Sequence, residues 1–247
     1  MMKYGLILLS LLFSGSTTYA ACEDEVSPGV NWTGCDKSGL NLAGANLKSA
    51  ILRRVNFSNT DLSNARMQDA DLSFSTLNGT DFSKARMERT RINNAKIDGV
   101  NFSETVLNEA RLSRSKIKLS NFSLSRINKA NFYEAKITGS NFEESTITKS
   151  DFTGVFIESG NFKNSIAEEV IFNRADLESA IFTKANLKGA KFEEANLINA
   201  LFDYADLSEA SIRDAIIDDA VFTGAKLDST TWVKYQRCRN GSVGVCQ

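Results

Sequence analysis

The chain contains no histidine and one proline, Pro28, in 247 residues. Without histidine, the commonest general base and the commonest metal ligand are both missing. Neither sign of charge dominates: 29 Lys and Arg face 30 Asp and Glu, a formal net of −1. That balance argues against a whole-molecule electrostatic strategy such as wrapping nucleic acid. Long apolar runs are also missing, since the only candidate, Tyr4 to Phe13, is too short to span a bilayer. The composition is otherwise ordinary, 42% apolar and 24% charged, and the chain is long enough to bury a substantial core.

The apolar stretch belongs to a segment unlike the rest. Lys3 gives it a positive start, and Thr18-Tyr19-Ala20 ends it on a small residue. Residues 1–20 therefore read as a secretory signal, and the mature protein is expected in the periplasm or outside the cell. Tyr19-Ala20-Ala21-Cys22 faintly resembles a lipobox; membrane attachment is expected only if Cys22 carries lipid. Four cysteines fit an exported chain: Cys22 and Cys35 near one end, Cys238 and Cys246 near the other. Three pairings are formally possible, and local pairs are expected, each closing a short loop at one end of the fold. Their spacing, without histidine, does not make a metal site.

Between these ends the sequence repeats every five residues from Leu42 to Leu227 without insertion or deletion. The central position of all 38 quintets is large and apolar, with Ala167 as the exception. Two residues before each centre from Leu47 onward stands Ala, Ser, Thr, Val or Gly. Five fits neither the 3.6 period of a helix nor the 2 of a continuous strand. The centre and the small residue share one side of a short extended segment, as alternate residues do. The chain must then turn inward again, so the pattern predicts a coil with one short side per quintet.

The phenylalanines count the sides. Phe82, Phe102, Phe122, Phe142, Phe162, Phe182, Phe202 and Phe222 recur every twenty residues, and Phe132, Phe152, Phe172 and Phe192 are offset by ten. Aliphatic centres lie between them. Four quintets per turn stack like on like, with Phe on two opposite walls. The small residue follows, because a narrow lumen packed to native density cannot hold two bulky side chains per side. Nine to ten turns at the sheet spacing give a rod about 45 Å long.

These quintets, in runs such as Ala45-Asn46-Leu47, Ala70-Asp71-Leu72 and Ala205-Asp206-Leu207, resemble the pentapeptide-repeat family, whose pattern is A(D/N)LXX. The resemblance implies an all-β fold, a right-handed quadrilateral β-helix, over residues 40–232. It leaves residues 21–39 and 233–247 as disulfide caps. With no histidine and with carboxylates scattered outward, the chain is expected to be a non-enzymatic scaffold or protein-interaction module. The family's best-known members resemble duplex DNA and protect gyrase from quinolones. That alternative is opposed here by the signal segment and the near-zero net charge, and one fold hosts many roles.

No catalytic residue, cofactor, metal or small-molecule substrate is expected. Carboxylate pairs such as Glu143-Glu144 and Glu193-Glu194 fall at outward positions as solvated surface. Two surface features remain. Residues 53–118 carry twelve Lys and Arg against eight Asp and Glu, whereas residues 151–230 carry seven against fifteen. Arg66 and Arg86, Arg91 and Arg111, and Lys96, Lys116 and Lys136 recur at twenty just before the centre. They read either as a mixed surface neutralised by Asp69, Glu88, Asp98 and Glu109 or as a shallow anion-facing flank. At the same outward position Ile181, Leu201 and Val221 should stack as an exposed aliphatic ladder, with Tyr204 beside them and Ile216 on the neighbouring wall. This stripe reads either as aliphatic β-formers packed rung on rung or as a partner patch, for another protein or, as the family implies, for a second copy through the C-terminal coils.

Overall fold

A computed structural model describes residues 22–247; residues 1–20, read above as a signal, lie outside the described residues. The chain winds as a right-handed quadrilateral β-helix in which each residue before a centre bridges in parallel to the residue twenty positions on, from Asn31–Ile51 to Ser211–Thr231. Wall 1 carries the centres Leu42 to Phe222, wall 2 Leu47 to Leu227, wall 3 Leu52 to Ile212, and wall 4 Phe57 to Ile217. On wall 4 the bridges lengthen into four parallel strands, β1 (Lys96–Asp98), β2 (Lys116–Lys118), β3 (Lys136–Thr138) and β4 (Phe156–Glu158), paired in that order.

The lumen is filled as the periodicity requires. From Leu47 to Ile212 every centre is sealed from solvent, Ala167 included. Rings on wall 1 stack face to face, Phe102–Phe122 and Phe122–Phe142 both at 4.7 Å, as do Phe132 and Phe152 on wall 3 at 4.4 Å. Across the lumen the two sets meet edge-on, Phe142–Phe152 at 6.1 Å, so each ring satisfies both preferred aromatic geometries. Small inward hydroxyls bind the coils together: Thr80, Thr90 and Thr105 donate to the carbonyls of Phe57, Met67 and Phe82 one coil back. Most buried hydroxyls are satisfied by backbone carbonyls; those of Ser75 and Ser165 have no partner among the described residues.

Each corner is a tight turn whose cost the sequence does not advertise. The residue two after the centre is left-handed in every quintet, including Arg54 (φ 56°), Phe74 (φ 65°) and Leu124 (φ 58°). Most corners close with the hydrogen bond from the third residue after the centre back to it, as in Ala50 to Leu47. The corners after β1 and β2 differ. There Val100 and Ser120 donate their N–H to the hydroxyls of Ser120 and Ser140 in the following coil, at 3.3 Å each. The corner after β4 ends on Gly160, where a Cβ would run into Ile157.

The ends are closed differently. Bridging begins at Asn31, not near residue 40, because Val30, Trp32 and Cys35 already occupy inward positions. The Cys22–Cys35 disulfide, with Cα atoms 5.5 Å apart, ties the entering chain to this first coil. Trp32 is buried, donates its indole N–H to Asp24, and lies under the Lys37 ammonium at 4.1 Å. At the far end a short 3-10 turn, Val233–Tyr235, reverses the chain. It then pairs antiparallel, Arg237 with Thr231 and Val243 with Lys226. The Cys238–Cys246 disulfide, with Cα atoms 4.8 Å apart, fixes that hairpin over walls 3 and 2.

Candidate functional site

The seven basic residues expected to form one flank are distributed over three walls. Arg66 and Arg86 stack on wall 2, Arg91 and Arg111 on wall 3, and Lys96, Lys116 and Lys136 on wall 4. On the first two walls carboxylates answer several of the guanidinium groups. Arg86 meets Glu88 at 3.1 Å, Arg89 meets Asp69 at 2.7 Å, and Arg114 meets Glu134 at 2.8 Å. Asp71 lies between Arg53 and Arg91 at 3.5 and 3.4 Å and is only 7% exposed. Burial pushes its carboxyl up, but the Ser73 hydrogen bonds and the two arginines outweigh this and hold it below its usual value. Mixed-charge stacking of this kind tethers neighbouring coils and leaves shallow charged depressions, such as that lined by Asp69, Arg89, Arg91 and Arg111.

Wall 4 is different. Lys96, Lys116, Lys118 and Lys136 are exposed, and none has a carboxylate within 4.0 Å. Exposed Leu119 and Phe156, 71% and 42% accessible, lie on the same wall.

The aliphatic ladder lies on wall 1. Over its middle coils Asn101, Asn121, Asn141 and Asn161 occupy the outward position and accept the N–H two residues on, at 3.0–3.1 Å. Ile181, Leu201 and Val221 continue the same ladder in register and make no such bond. They exchange a turn-stabilising hydrogen bond for apolar surface. Each is half-buried where an exposed ladder was expected, because its ladder neighbours, Leu201 for both Ile181 and Val221, cover part of its flanks. Tyr204 and Ile216 are 64% and 51% accessible.

A feature that side-chain patterns could not announce adjoins this ladder. The C-terminal hairpin covers two walls of the last coil and leaves the other two open. Leu227 N–H reaches Ser242, and Trp232 N–H reaches Gln236. Among the described residues the N–H groups of Ile217 and Phe222 have no backbone acceptor. Ile217 and Ala220, equivalent to fully sealed residues in earlier coils, are only partly buried here. The Phe222 ring, 8% exposed, is held from one side by Trp232 at 5.0 Å. The only advance signal is that the repeat stops at Leu227 on wall 2.

Among the described residues no cluster of three or more metal-binding side chains occurs, and no helix is long and apolar enough to cross a membrane.

Comparison with known proteins agrees with this architecture. The model of the pentapeptide repeat region matches residues 29–102, and that of pentapeptide repeats (8 copies) matches 85–123, 125–164, 161–193 and 190–228. The chain belongs to the pentapeptide repeat family. Among solved structures it is similar to HetL, a pentapeptide repeat protein involved in heterocyst differentiation regulation from Nostoc sp. strain PCC 7120. The two are 24% identical over 80% of this chain and 89% of that one, with a TM-score of 0.56, which shows the fold alone. More distant are a thylakoid-lumen pentapeptide repeat protein of Arabidopsis thaliana (24% identity, 44% and 81% covered, TM-score 0.39) and the plasmid-mediated fluoroquinolone resistance protein QnrB1 (16% identity, 81% and 91% covered, TM-score 0.46). Comparison with curated protein sequences finds no match.

Proposed function

We propose that the protein is an exported, non-catalytic interaction module that receives another protein at its C-terminal coil. The observation that carries this reading is the half-sealed last coil. Ile217 and Phe222 offer unpaired N–H donors beside Ile216, Val221 and Tyr204. An unpaired strand edge flanked by apolar side chains is the template for adding a strand from a partner, with backbone bonds giving affinity and side-chain contacts giving specificity. The two disulfides fit an oxidising compartment, and the signal read in residues 1–20 supports export.

Photo-crosslinking in intact cells tests this, with a photoreactive residue at Ile216 or at Leu124, an exposed control on wall 1. Adducts are expected from position 216 only. Leu201→Lys with Val221→Lys should abolish them without lowering the melting temperature of the fold by more than a few degrees. Equal adducts from both positions, or adducts unchanged by the double substitution, contradict the reading.

A further inference from the structure

Twelve ion pairs decorate the described surface, and every one lies on walls 1, 2 or 3. Most join residues about one coil apart, such as Lys84–Glu104, Lys149–Glu169 and Lys226–Asp206. Opposite charges meet across many of these rungs, although like charges such as Arg66 and Arg86 also stack there. Wall 4 carries ten charged side chains between residues 95 and 219, and none is paired. Their signs are segregated along the rod. Lys96, Lys116, Lys118 and Lys136, with Asp98 among them, occupy β1 to β3. Glu158, Asp176, Glu178, Asp218 and Asp219 occupy the coils that follow, with no basic residue on that part of the wall.

Like charges on adjacent rungs, about 4.8 Å apart, repel and are poorly screened at that distance. The Lys96–Lys116–Lys136 register is fixed by strand pairing, so the repulsion cannot be relieved by slippage. Segregated, unpaired charge on a flat sheet face is complementary to one obvious surface, which is the same face turned end for end.

We infer that wall 4 is a self-complementary interface through which two copies of this chain lie side by side, antiparallel, about a two-fold axis crossing the wall between β3 and β4. This inference is independent of the C-terminal docking reading. A two-fold operator makes such a contact isologous, so each complementary pair occurs twice. In this register Lys116 faces Asp176 of the other copy and Lys118 faces Glu178. Lys136 lies against Phe156 and Glu158, where the exposed ring adds a cation–π contact. No like charges oppose each other across these rungs. A linear polyanion would match the lysine half alone and be repelled by the acidic half, so a second copy fits better. One wall is a narrow face, at the low end of specific interfaces. The pairing is therefore weak and sensitive to ionic strength.

The test is charge exchange, read by sedimentation at about 200 μM. The wild-type chain is expected to dimerise at 20 mM salt and at least tenfold more weakly at 500 mM. Lys116→Glu with Lys118→Glu makes both of these facing rungs acidic, and Asp176→Lys with Glu178→Lys makes both basic. Each variant alone should be monomeric at 20 mM salt, and their equimolar mixture should associate more tightly than wild type. Circular dichroism melts verify that both fold, and Val221→Asp, which lies at the open end on wall 1, should leave dimerisation unchanged. A monomeric wild type with a monomeric mixture overturns the inference. So does self-association of either variant at wild-type strength, or a wild type that stays monomeric yet binds polyphosphate through the lysines.

Discussion

The early coils and the middle coils share one backbone but fill it differently. Leu47, Leu52, Leu62, Met67, Leu72 and Leu77 pack the beginning of the lumen. Between residues 122 and 202 two phenylalanine ladders interlock, with stacked rings on each wall and edge-on contacts across, such as Phe182–Phe192 at 5.7 Å and Phe192–Phe202 at 5.8 Å. The comparison teaches that the fold demands only a large apolar centre and a small partner. Chemical identity is free within that limit, and it recurs at twenty because like side chains stack best on like. The aromatic region is more tightly committed: a ring there touches others above, below and opposite, and removing it empties space that no neighbour can fill by changing rotamer.

The largest expected effect follows from that commitment. Phe142→Ala removes a ring in contact with Phe122, Phe132, Phe152 and Phe162. It should cost about 3–5 kcal/mol, whereas Leu62→Ala in the early coils should fall near 2–3 kcal/mol, within the general range for such truncations. Denaturant melts measure both, and equal losses would erase the distinction between the two regions.

A second contrast lies in the charged surface around the early coils. Asp71 and Asp69 are held below the usual aspartate value of 3.8, the first by Ser73 and two arginines against its burial, the second chiefly by the Arg89 hydrogen bond. Glu134, farther along the rod, is lowered by Arg114 and Tyr133. A carboxylate with a depressed folded pKa contributes stability above its unfolded pKa and loses it as pH falls through the folded value. With no histidine to titrate, the melting temperature should be flat from pH 8 to 5 and fall between about pH 4 and 2. Asp71→Asn should lower the plateau and shallow the acid limb. A melting temperature that drops between pH 7 and 5 would contradict this assignment.

The smallest expected effect comes from the one undersized centre, inside the aromatic region. Ala167 is fully buried between Ile147 and Leu187, and the neighbouring Ser165 hydroxyl is buried with no hydrogen-bond partner. Ala167→Leu should be neutral or stabilise by about 1 kcal/mol, the order of a filled cavity. Strong destabilisation would show that the lumen has already closed around the alanine.

Much of this was legible in the sequence because a repeat exposes its own geometry. The period of five gives the sides, and the phenylalanine ladders give four sides per turn. The corners were not legible. Their left-handed position is occupied by Ser49, Arg54, Phe74, Lys84 and Leu119 as readily as by Gly79 or Gly99, since stacking on the next coil overrides local preference. The start of the coil was obscured because Lys37 stands at a centre and breaks the apolar pattern that Val30, Trp32 and Cys35 sustain. Twenty-residue spacing located every basic ladder but could not separate the walls by their ion pairs, because pairing depends on side-chain reach. The open half of the last coil is a property of backbone groups, which no residue pattern displays.

The central claim is that four quintets make one turn and that every centre stacks on the one twenty residues away. Deleting residues 122–141 removes one whole coil and preserves every ladder, whereas deleting residues 122–126 removes one side and moves all later centres to a different wall. Thermal melts of the two deletions test the claim directly. The twenty-residue deletion should unfold cooperatively within a few degrees of wild type, and the five-residue deletion should melt far lower or fail to fold. Equal melting temperatures for the two, or a greater loss from the longer deletion, would contradict the four-sided register.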